Sequence, residues 1–239
     1  MKTVLVTGAN RGIGFEVAKQ MAQLGYFVYL GSRDLKKGQD AVNVLKATGI
    51  SNIDSVQLDI SDLNSVNKAK ELLISKIEVL DVLINNAGIV GKQPQHFSKC
   101  DVEVLRNVFD TNFFGTVQIT QALIPLLRKS DKPVIVNVTS ELGSLSMWRD
   151  HGDNPGYYDF CTYGASKTAL NAFTVMLANE LKDTDFRINS VSPGYTATDI
   201  NNYTGTKPVE EGAKIIVKYA TANNQKTGHF FSEEGGEEW

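Results

Sequence analysis

The stretch "TVLVTGANRGIG" (Thr3–Gly14) is the strongest indication of the fold, because it joins a short β-branched run to a glycine-rich turn and the start of a helical pattern. Its glycines form the pattern GxxxGxG. Glycine lets a backbone approach phosphate groups closely, and the N–H groups of a helix N-terminus attract them. The pattern therefore predicts a dinucleotide pyrophosphate site; an ordinary glycine-rich turn is the alternative. The predicted contacts are Gly8, Asn10, Arg11, Gly12, Ile13 and Gly14.

Strand and helix patterns alternate along the rest of the chain. Apolar runs predict strands over residues 3–8, 26–31, 55–59, 80–88, 133–140, 187–194 and near 228–232. Helical spacing predicts helices over residues 13–25, 34–49, 61–77, 102–128, 163–181 and 209–220. The strands lack strict polar alternation, so helices should cover both faces of the sheet. This order predicts an α/β fold with a doubly wound parallel sheet, in a single domain over residues 1–239.

Composition excludes several classes of function. The net charge is −3 and charged residues make up 21% of the 239, with no basic stripe that would favour nucleic acid or an anionic membrane. The two cysteines, Cys100 and Cys161, lack metal-site spacing and read as free thiols in a reducing cytosol. The N-terminal apolar run is too short for a signal peptide or a membrane span. We therefore expect a cytoplasmic protein without a metal, and a solvated acidic tail "EEGGEEW" (residues 233–239).

The end of the second predicted strand indicates the cofactor. NAD-binding sites usually carry an acid there for the ribose hydroxyls. This chain reads "YLGSRDLKKG" (Tyr29–Gly38), with Ser32 at the expected position of the acid and Arg33 after it. Arg33 and Arg11 are suited to bind a 2′-phosphate bidentately. Asp34 points to NAD instead, but it also suits the N-cap of the next helix. We expect NADPH/NADP+.

Two further strand ends should reach the same site, because open α/β sheets bind ligands at the carboxyl ends of their strands. "LDI" places Asp59 and Ile60 after the third strand, and "NNAG" places Asn86, Ala87 and Gly88 after the fourth. Asp59 is expected to accept a hydrogen bond from the adenine amino group, or else to be a turn residue. The turn at Asn86–Gly88 lets the backbone pass close to the cofactor.

"TYGASK" (Thr162–Lys167) sets a phenol and an ammonium four residues apart. Positions i and i+4 share one helix face, so Tyr163 and Lys167 should point into one cleft. An ammonium ~4 Å away at an effective dielectric of ~20 contributes about 4 kcal/mol, which is roughly 3 pKa units. We therefore expect Lys167 to bring the pKa of Tyr163 close to ~7, where general acids work best. A surface pair is the alternative.

Taken together, the motifs resemble the short-chain dehydrogenase/reductase family. They are "TGANRGIG", "NNAG", "DTNFFG", "VNVTS", "YGASK" and "SPGYTATD", in the family's order and over nearly the whole chain. "KPVEEGAK" and "GHFFSEEGGEEW" are similar to its NADPH-dependent carbonyl reductase branch. The resemblance implies a Rossmann-like domain with a seven-stranded sheet that reduces aldehydes and ketones. It also implies a catalytic set of Asn112, Ser140, Tyr163 and Lys167.

The resemblance also assigns roles in hydride transfer to a small carbonyl substrate. Ser140 would donate to the carbonyl oxygen, Tyr163 would protonate it, and Lys167 would hold the nicotinamide ribose. Asn112 would hold a water that links Lys167 to solvent. The residues expected beside the nicotinamide are Pro193, Gly194, Thr196 and Thr198.

The segment between Ser140 and Tyr163 is longer than the commonest family spacing. We expect residues 141–161 to be an inserted substrate-side segment, and substrate contacts from Ser140, Glu141, Trp148, Tyr163 and Tyr195. Trp148, Tyr157 and Tyr158 either line the pocket or only pack the segment. Two other functions stay open: an NAD-dependent alcohol or sugar dehydrogenase, and a dinucleotide-binding sensor without turnover. Monomer and homo-oligomer are equally open.

Overall fold

One sheet runs through the computed structural model, which describes residues 1–151, 153–223, 226–233, 235–236 and 239. Its strands are β1 (Thr3–Val6), β2 (Phe27–Ser32), β3 (Ile53–Gln57), β4 (Val82–Asn85), β5 (Val134–Val138), β6 (Arg187–Val191), β7 (Phe230–Ser232) and β8 (Gly235–Gly236). They lie in the order β3-β2-β1-β4-β5-β6-β7-β8. β1 to β7 are parallel, which confirms the predicted doubly wound sheet. The strand number differs from seven because the C-terminal segment adds the two-residue β8, antiparallel to β7.

Helices connect the parallel strands and were mostly predicted from their spacing. They are α1 (Gly12–Gln23), α2 (Leu35–Ala47), α3 (Leu63–Lys76), α4 (Val102–Phe109), α5 (Thr116–Leu127), α6 (Leu145–His151), α7 (Cys161–Glu180) and α8 (Val209–Thr221). The helix expected over 102–128 contains a π-helical segment, Asp110–Gly115, between α4 and α5. α6 lies in the 141–161 segment, where no helix was predicted.

Two apolar layers cover the two faces of the sheet. Val4 and Val6 of β1 belong to the layer under α1, α2 and α8, whereas Leu5 belongs to the layer under α3, α5 and α7. All three side chains are fully buried. Burial of a side chain of this size stabilises the fold by about 1.5–3 kcal/mol. Apolar side chains therefore cover both faces of the sheet, and the polar groups of the site lie at the ends of the strands.

Aspartates cap three of these helices. Asp34 accepts from Lys37 N at 2.9 Å, and Asp62 and Asp101 cap α3 and α4 in the same way. Such a cap contributes about 1 kcal/mol to a helix. Asp34 is therefore the N-cap of α2, which was the alternative to a ribose ligand.

Trp239 makes two contacts with the rest of the fold while it stays exposed to solvent. The ring centroid of Trp239 lies 5.8 Å from that of Phe230, and its carbonyl accepts from Ser146 N of α6 at 3.1 Å. Trp239 remains 40% exposed and the side chain of Glu233 is 65% exposed, so the described residues of this tail that carry large or charged side chains are exposed to solvent, as predicted. Glu234, Glu237 and Glu238 lie outside the described residues.

Candidate active site

A cleft of about 460 Å³ opens at the carboxyl ends of β1, β2, β3 and β4. Sheet order reverses beside β1, and a crevice forms at such a point because the crossovers leave in opposite directions. The cleft brings together sixteen of the residues expected from the sequence. They are Gly8, Asn10, Arg11, Gly12, Ile13, Gly14, Arg33, Asp59, Ile60, Asn86, Ala87, Gly88, Tyr163, Lys167, Pro193 and Thr198.

The glycine loop is held against the end of β4 by protein contacts. Asn86 Nδ2 donates to the carbonyls of Thr7 and Gly8 at 2.9 and 3.1 Å, and a Cβ on Gly14 would lie 2.4 Å from that nitrogen. Gly8 has φ +61°, and its Cβ would lie 2.8 Å from Ala87 Cα. These glycines are therefore required by the close approach of the two loops. Asn86 acts as a clamp on the loop, which the turn motif alone did not indicate.

Thr7 is a site residue that sequence reasoning missed. Its buried hydroxyl accepts from the N–H groups of Asn86 and Ala87, both at 3.0 Å. It precedes Gly8 in the glycine-loop motif, and that position was the only signal of its role. Thr7 itself lies behind the cleft wall, and the residues that line the cleft but were not predicted are Leu58, Ser61, Ile89, Val90, Gly91, Thr111, Val138, Thr139, Asp199 and Ile200.

Ser32 does not line the cleft, contrary to expectation. It is 1% exposed, and its hydroxyl donates to the Asp34 carbonyl at 2.8 Å. The side chain of Ser32 packs against α2, where a Cβ added to Gly38 would lie 3.1 Å from the Cβ of Ser32. Arg33, by contrast, is exposed and lines the cleft.

Arg11 is paired with an acid in this structure. Its guanidinium lies 2.8 Å from Asp199, with side-chain exposures of 69% and 31%. This exposed ion pair crosses from the glycine loop to the segment after Pro193. An exposed pair of this kind contributes at most about 1 kcal/mol, so a phosphate can compete for Arg11.

Asp59 lies in the cleft as a turn residue. Its Oδ1 accepts from the Ser61 backbone and hydroxyl at 3.0 and 2.6 Å. Thr198 differs, because its buried hydroxyl has no hydrogen-bond partner among the described residues. A buried hydroxyl is costly without a partner, so its position in the cleft wall is suited to a ligand. Thr139, also buried in the cleft wall, likewise has a hydroxyl without a hydrogen-bond partner among the described residues.

Tyr163 and Lys167 of α7 line the cleft together, but their electrostatics differ from the prediction. Burial raises the pKa of Tyr163 to about 12, and a hydrogen bond with Ser140 opposes part of that shift. Lys167 Nζ lies 5.6 Å from the centroid of the Tyr163 ring and donates to the Val138 carbonyl at 2.8 Å. The expected pKa near 7 is therefore wrong for this structure, because burial outweighs an ammonium turned towards β5.

Lys167 is affected by its own burial. It is 4% exposed, and removal from water lowers its pKa to about 8. A lysine whose pKa lies this close to neutral pH exchanges its proton at physiological pH. Tyr163, in contrast, stays a neutral phenol, which is the form that donates a proton.

Asn112 lies in the π-helical segment and bonds to protein groups. Its two N–H groups donate to the Ile89 carbonyl and the Ser166 hydroxyl, both at 2.9 Å, and its Oδ1 accepts from Ile89 N at 2.8 Å. Ser166, which was not predicted, donates in turn to the Tyr163 carbonyl at 2.7 Å. Asn112 therefore connects the loop after β4 to α7, and both of its N–H groups are already used.

The expected substrate residues are only partly brought together. Ser140 contacts Tyr163, and its hydroxyl also accepts from Leu142 N at 3.2 Å. Trp148 does not line the cleft: its indole donates to the Leu142 carbonyl at 2.8 Å, and its ring lies against Gly164 and Tyr157. Trp148 thus packs the segment, one of the two alternatives. Predicted residues that also lie outside the cleft wall are Asn112, Ser140, Glu141, Gly194, Tyr195 and Thr196.

The fold and this cleft define a class, the dinucleotide-binding oxidoreductases with a Tyr–Lys pair at a Rossmann-type switch point. Residues 2–208 match the model of the family described as short chain dehydrogenase. The chain therefore belongs to the short-chain dehydrogenase/reductase family. It is an oxidoreductase that acts on CH–OH or carbonyl groups with a nicotinamide dinucleotide.

Named relatives cover nearly the whole chain. It is 34% identical to (+)-neomenthol dehydrogenase of Arabidopsis thaliana, over 96% of this chain and 95% of the relative. It is 33% identical to (-)-isopiperitenone reductase of Mentha piperita, over 96% of each. The solved structure of salutaridine reductase from Papaver somniferum superposes with a TM-score of 0.83 at 29% identity, covering 98% of this chain and 100% of that one. Among the described helices, none is long and apolar enough to cross a membrane.

Proposed function

We propose that the protein reduces a small ketone or aldehyde to an alcohol with NADPH. The observation that carries this proposal is that Tyr163, in contact with Ser140, lines the same cleft as the glycine loop and the buried Lys167. A solved structure described as menthone neomenthol reductase, 30% identical to this chain with a TM-score of 0.79, supports reduction of a ketone, since the endings "-one" and "-ol" denote a ketone and an alcohol.

The residues present fit a nicotinamide dinucleotide. The glycine loop offers backbone at the start of α1 for the pyrophosphate, and the unpartnered hydroxyl of Thr198 suits the carboxamide. Arg33 forms no ion pair with any described residue, so its charge is available at the adenosine end. Of the two arginines expected to bind the 2′-phosphate, Arg33 is available without rearrangement, whereas Arg11 must first be released from Asp199. These features support NADP+/NADPH over NAD+/NADH.

In the proposed mechanism, the bound cofactor supplies the hydride. Ser140 donates a hydrogen bond to the carbonyl oxygen, which becomes negative as its carbon is reduced. Tyr163 gives that oxygen its proton, and its raised pKa keeps the proton in place until the oxygen becomes basic. Lys167 then stabilises the phenolate that remains. Asn112 fixes the loop after β4 against α7, so that these groups keep their spacing.

The other predictions stand as parts of this proposal. We propose that residues 1–239 act as one domain and that residues 141–161, which lie between Ser140 and Tyr163 in the chain, contact the substrate beyond the cleft wall described above. A cytoplasmic location is also part of the proposal, and the free thiols of Cys100 and Cys161 support it.

A panel of ketones and aldehydes, assayed by NADPH consumption, tests the proposed function. We expect turnover of several carbonyl compounds with NADPH, and kcat/KM at least about tenfold lower with NADH. Oxidation of alcohols with NAD+ at comparable kcat/KM, and no carbonyl reduction, would contradict the proposal and favour the NAD-dependent dehydrogenase. Cofactor binding without turnover of any substrate would favour the sensor.

A further inference from the structure

The loop between β4 and α4 buries a glutamine. Gln95 is 0% exposed, whereas residues 92–94 before it and 97–99 after it are exposed. Burying an amide is costly unless its polar atoms are hydrogen-bonded. An apolar side chain would pack such a loop at lower cost, so the bonds of Gln95 indicate its role.

Both side-chain N–H groups of Gln95 donate hydrogen bonds, and its side-chain oxygen accepts one from the backbone of Tyr163. Nε2 donates to the carbonyls of Val90 and Lys92 at 2.7 and 3.3 Å. Oε1 accepts from Tyr163 N at 3.0 Å. Val90 lines the cleft, so Gln95 joins one cleft wall to the residue that carries the phenol.

This contact replaces a missing helix cap. The first N–H groups of a helix have no partner within it, and the N-cap residue of α7, Phe160, provides no side-chain cap. Tyr163 is the third residue of α7. Gln95 therefore caps, from a segment distant in sequence, the N–H of the residue proposed to donate the proton.

The bonds of Gln95 complete a ring around the Tyr163 peptide. On one side, Gln95 joins Val90 to the Tyr163 N–H. On the other, the Tyr163 carbonyl accepts from Ser166, whose hydroxyl accepts from Asn112. Asn112 bonds to both backbone groups of Ile89, the neighbour of Val90. The ring thus starts and ends at residues 89–90 and holds Tyr163 from both sides.

We propose that Gln95 is a positioning residue for Tyr163, setting where the phenol oxygen lies relative to the reacting carbonyl. The inference rests on the proposed role of Tyr163 as proton donor. It assigns Gln95 no contact with substrate or cofactor, so loss of Gln95 should lower kcat and leave cofactor affinity unchanged. A shift of about 1 Å in a reacting group is enough to lower a rate by about 100-fold.

The first test is a double-mutant cycle with Gln95→Met and Tyr163→Phe. Gln95→Met should lower kcat by about 10- to 100-fold, with the NADPH Kd within about 2-fold of wild type. In the Tyr163→Phe background it should cost less than about 2-fold, because no phenol is left to position. Gln93→Met, in the same loop but exposed, is the matched control and should have no effect.

Two failures of this cycle are distinguishable. If Gln95→Met costs the same factor in both backgrounds, or weakens NADPH binding as much as kcat, Gln95 only holds the loop and the inference is wrong. If Tyr163→Phe alone keeps wild-type kcat, Tyr163 is not the proton donor and the proposed mechanism fails together with the inference.

Gln95→Glu tests the same point in a variant that, when protonated, retains the bonds to Val90 and Tyr163 and loses only the longer bond to Lys92. A neutral carboxyl donates to the Val90 carbonyl and accepts from Tyr163 N, whereas a carboxylate has no proton for Val90. Burial raises the pKa of such a carboxyl above its usual ~4.3. We expect kcat near that of wild type at acidic pH and a fall as pH rises, with an unchanged NADPH Kd.

The wild-type profile over the same pH range is the control for neighbouring groups. His96 and Asp159, whose side chains meet at 3.1 Å, are the nearby titratable pair and are present in both proteins. A Gln95→Glu profile that runs parallel to the wild-type profile at all pH values would overturn the inference.

Discussion

The two ends of the cleft are built on different physical principles. At the Tyr163 end, Lys167, Asn112 and Ser166 are at most 4% exposed, and the side chains of all three are hydrogen-bonded to protein groups. At the Arg33 end, the charged groups are largely exposed, and the ion pair of Arg11 with Asp199 lies at the surface. Chemistry depends on fixed geometry in a water-poor site, whereas cofactor choice depends on charges that water and salt screen. Substitutions at the buried end should therefore have the larger effects.

The largest effect is expected from Tyr163→Phe at the buried end. Loss of the phenol hydroxyl should lower kcat by at least about 100-fold, the usual scale of general acid catalysis. NADPH affinity should change little, because the ring and its backbone bonds remain. Steady-state kinetics and direct NADPH titration measure the two effects. Tyr157→Phe, whose ring packs on Trp148, is the control and should keep wild-type kcat. Activity of Tyr163→Phe within a few-fold of wild type would remove the distinction between the ends.

Arg33→Ala tests the exposed end. A charge-assisted hydrogen bond contributes about 1.5–3 kcal/mol, so NADPH affinity should fall by roughly 10- to 150-fold. NADH affinity should stay the same, because NADH has no 2′-phosphate. The measurement is kcat/KM and Kd for both cofactors. Lys36→Ala, exposed one turn further along and outside the cleft, is the matched control. An equal loss for NADPH and NADH would show that Arg33 does not read the phosphate.

The pH dependence should report Lys167. Its pKa of about 8 means that the ammonium, present below pH 8, is lost as pH rises through that value. Reductive kcat/KM for NADPH, which reports groups of the free enzyme, should then fall by about tenfold per pH unit on the alkaline side. Tyr163 should not contribute to that fall, since its pKa is about 12. A profile that stays flat to pH 10 would mean that the charge on Lys167 is dispensable.

The smallest effect is expected from Asp199→Asn. An exposed ion pair contributes about 0–1 kcal/mol, so releasing Arg11 should raise NADPH affinity by no more than about 5-fold. High salt should abolish the gain, because exposed charges are screened. Asp183→Asn, exposed and outside the cleft, controls for the change in net charge. Weaker NADPH binding in Asp199→Asn would mean that Asp199 supports the cofactor instead of competing with it.

Most of the fold was predictable because it depends on local patterns. The apolar runs that became β1, β4 and β5 have both faces buried, and the run over 163–181 became α7 within two residues at its start. The glycine motif located the cleft. Glycine is required at both positions, because Gly8 has a positive φ and a side chain on Gly14 would clash with its neighbours. Helix spacing also placed Tyr163 and Lys167 in one cleft.

Prediction failed where a side chain had two uses or where the partner was distant. Ser32 was expected to face the ribose. Its hydroxyl instead donates to the carbonyl of Asp34, two residues further along the chain. The sequence left open whether Trp148 lines the pocket or packs the 141–161 segment. Its hydrogen bond to the Leu142 carbonyl shows that it packs the segment. α6 was missed because seven residues carry too little periodicity.

Residue patterns alone predicted the family, the glycine loop, most of the strands and helices in their order along the chain, and sixteen residues of the cleft wall. These follow from short-range spacing, which the backbone geometry of helices and strands converts directly into position. Three features depend on tertiary packing: the bond from Lys167 to Val138, the burial that raises the pKa of Tyr163, and the cap that Gln95 adds to α7. Burial and hydrogen bonds between segments far apart in the chain depend on how the elements pack, and no local pattern records them.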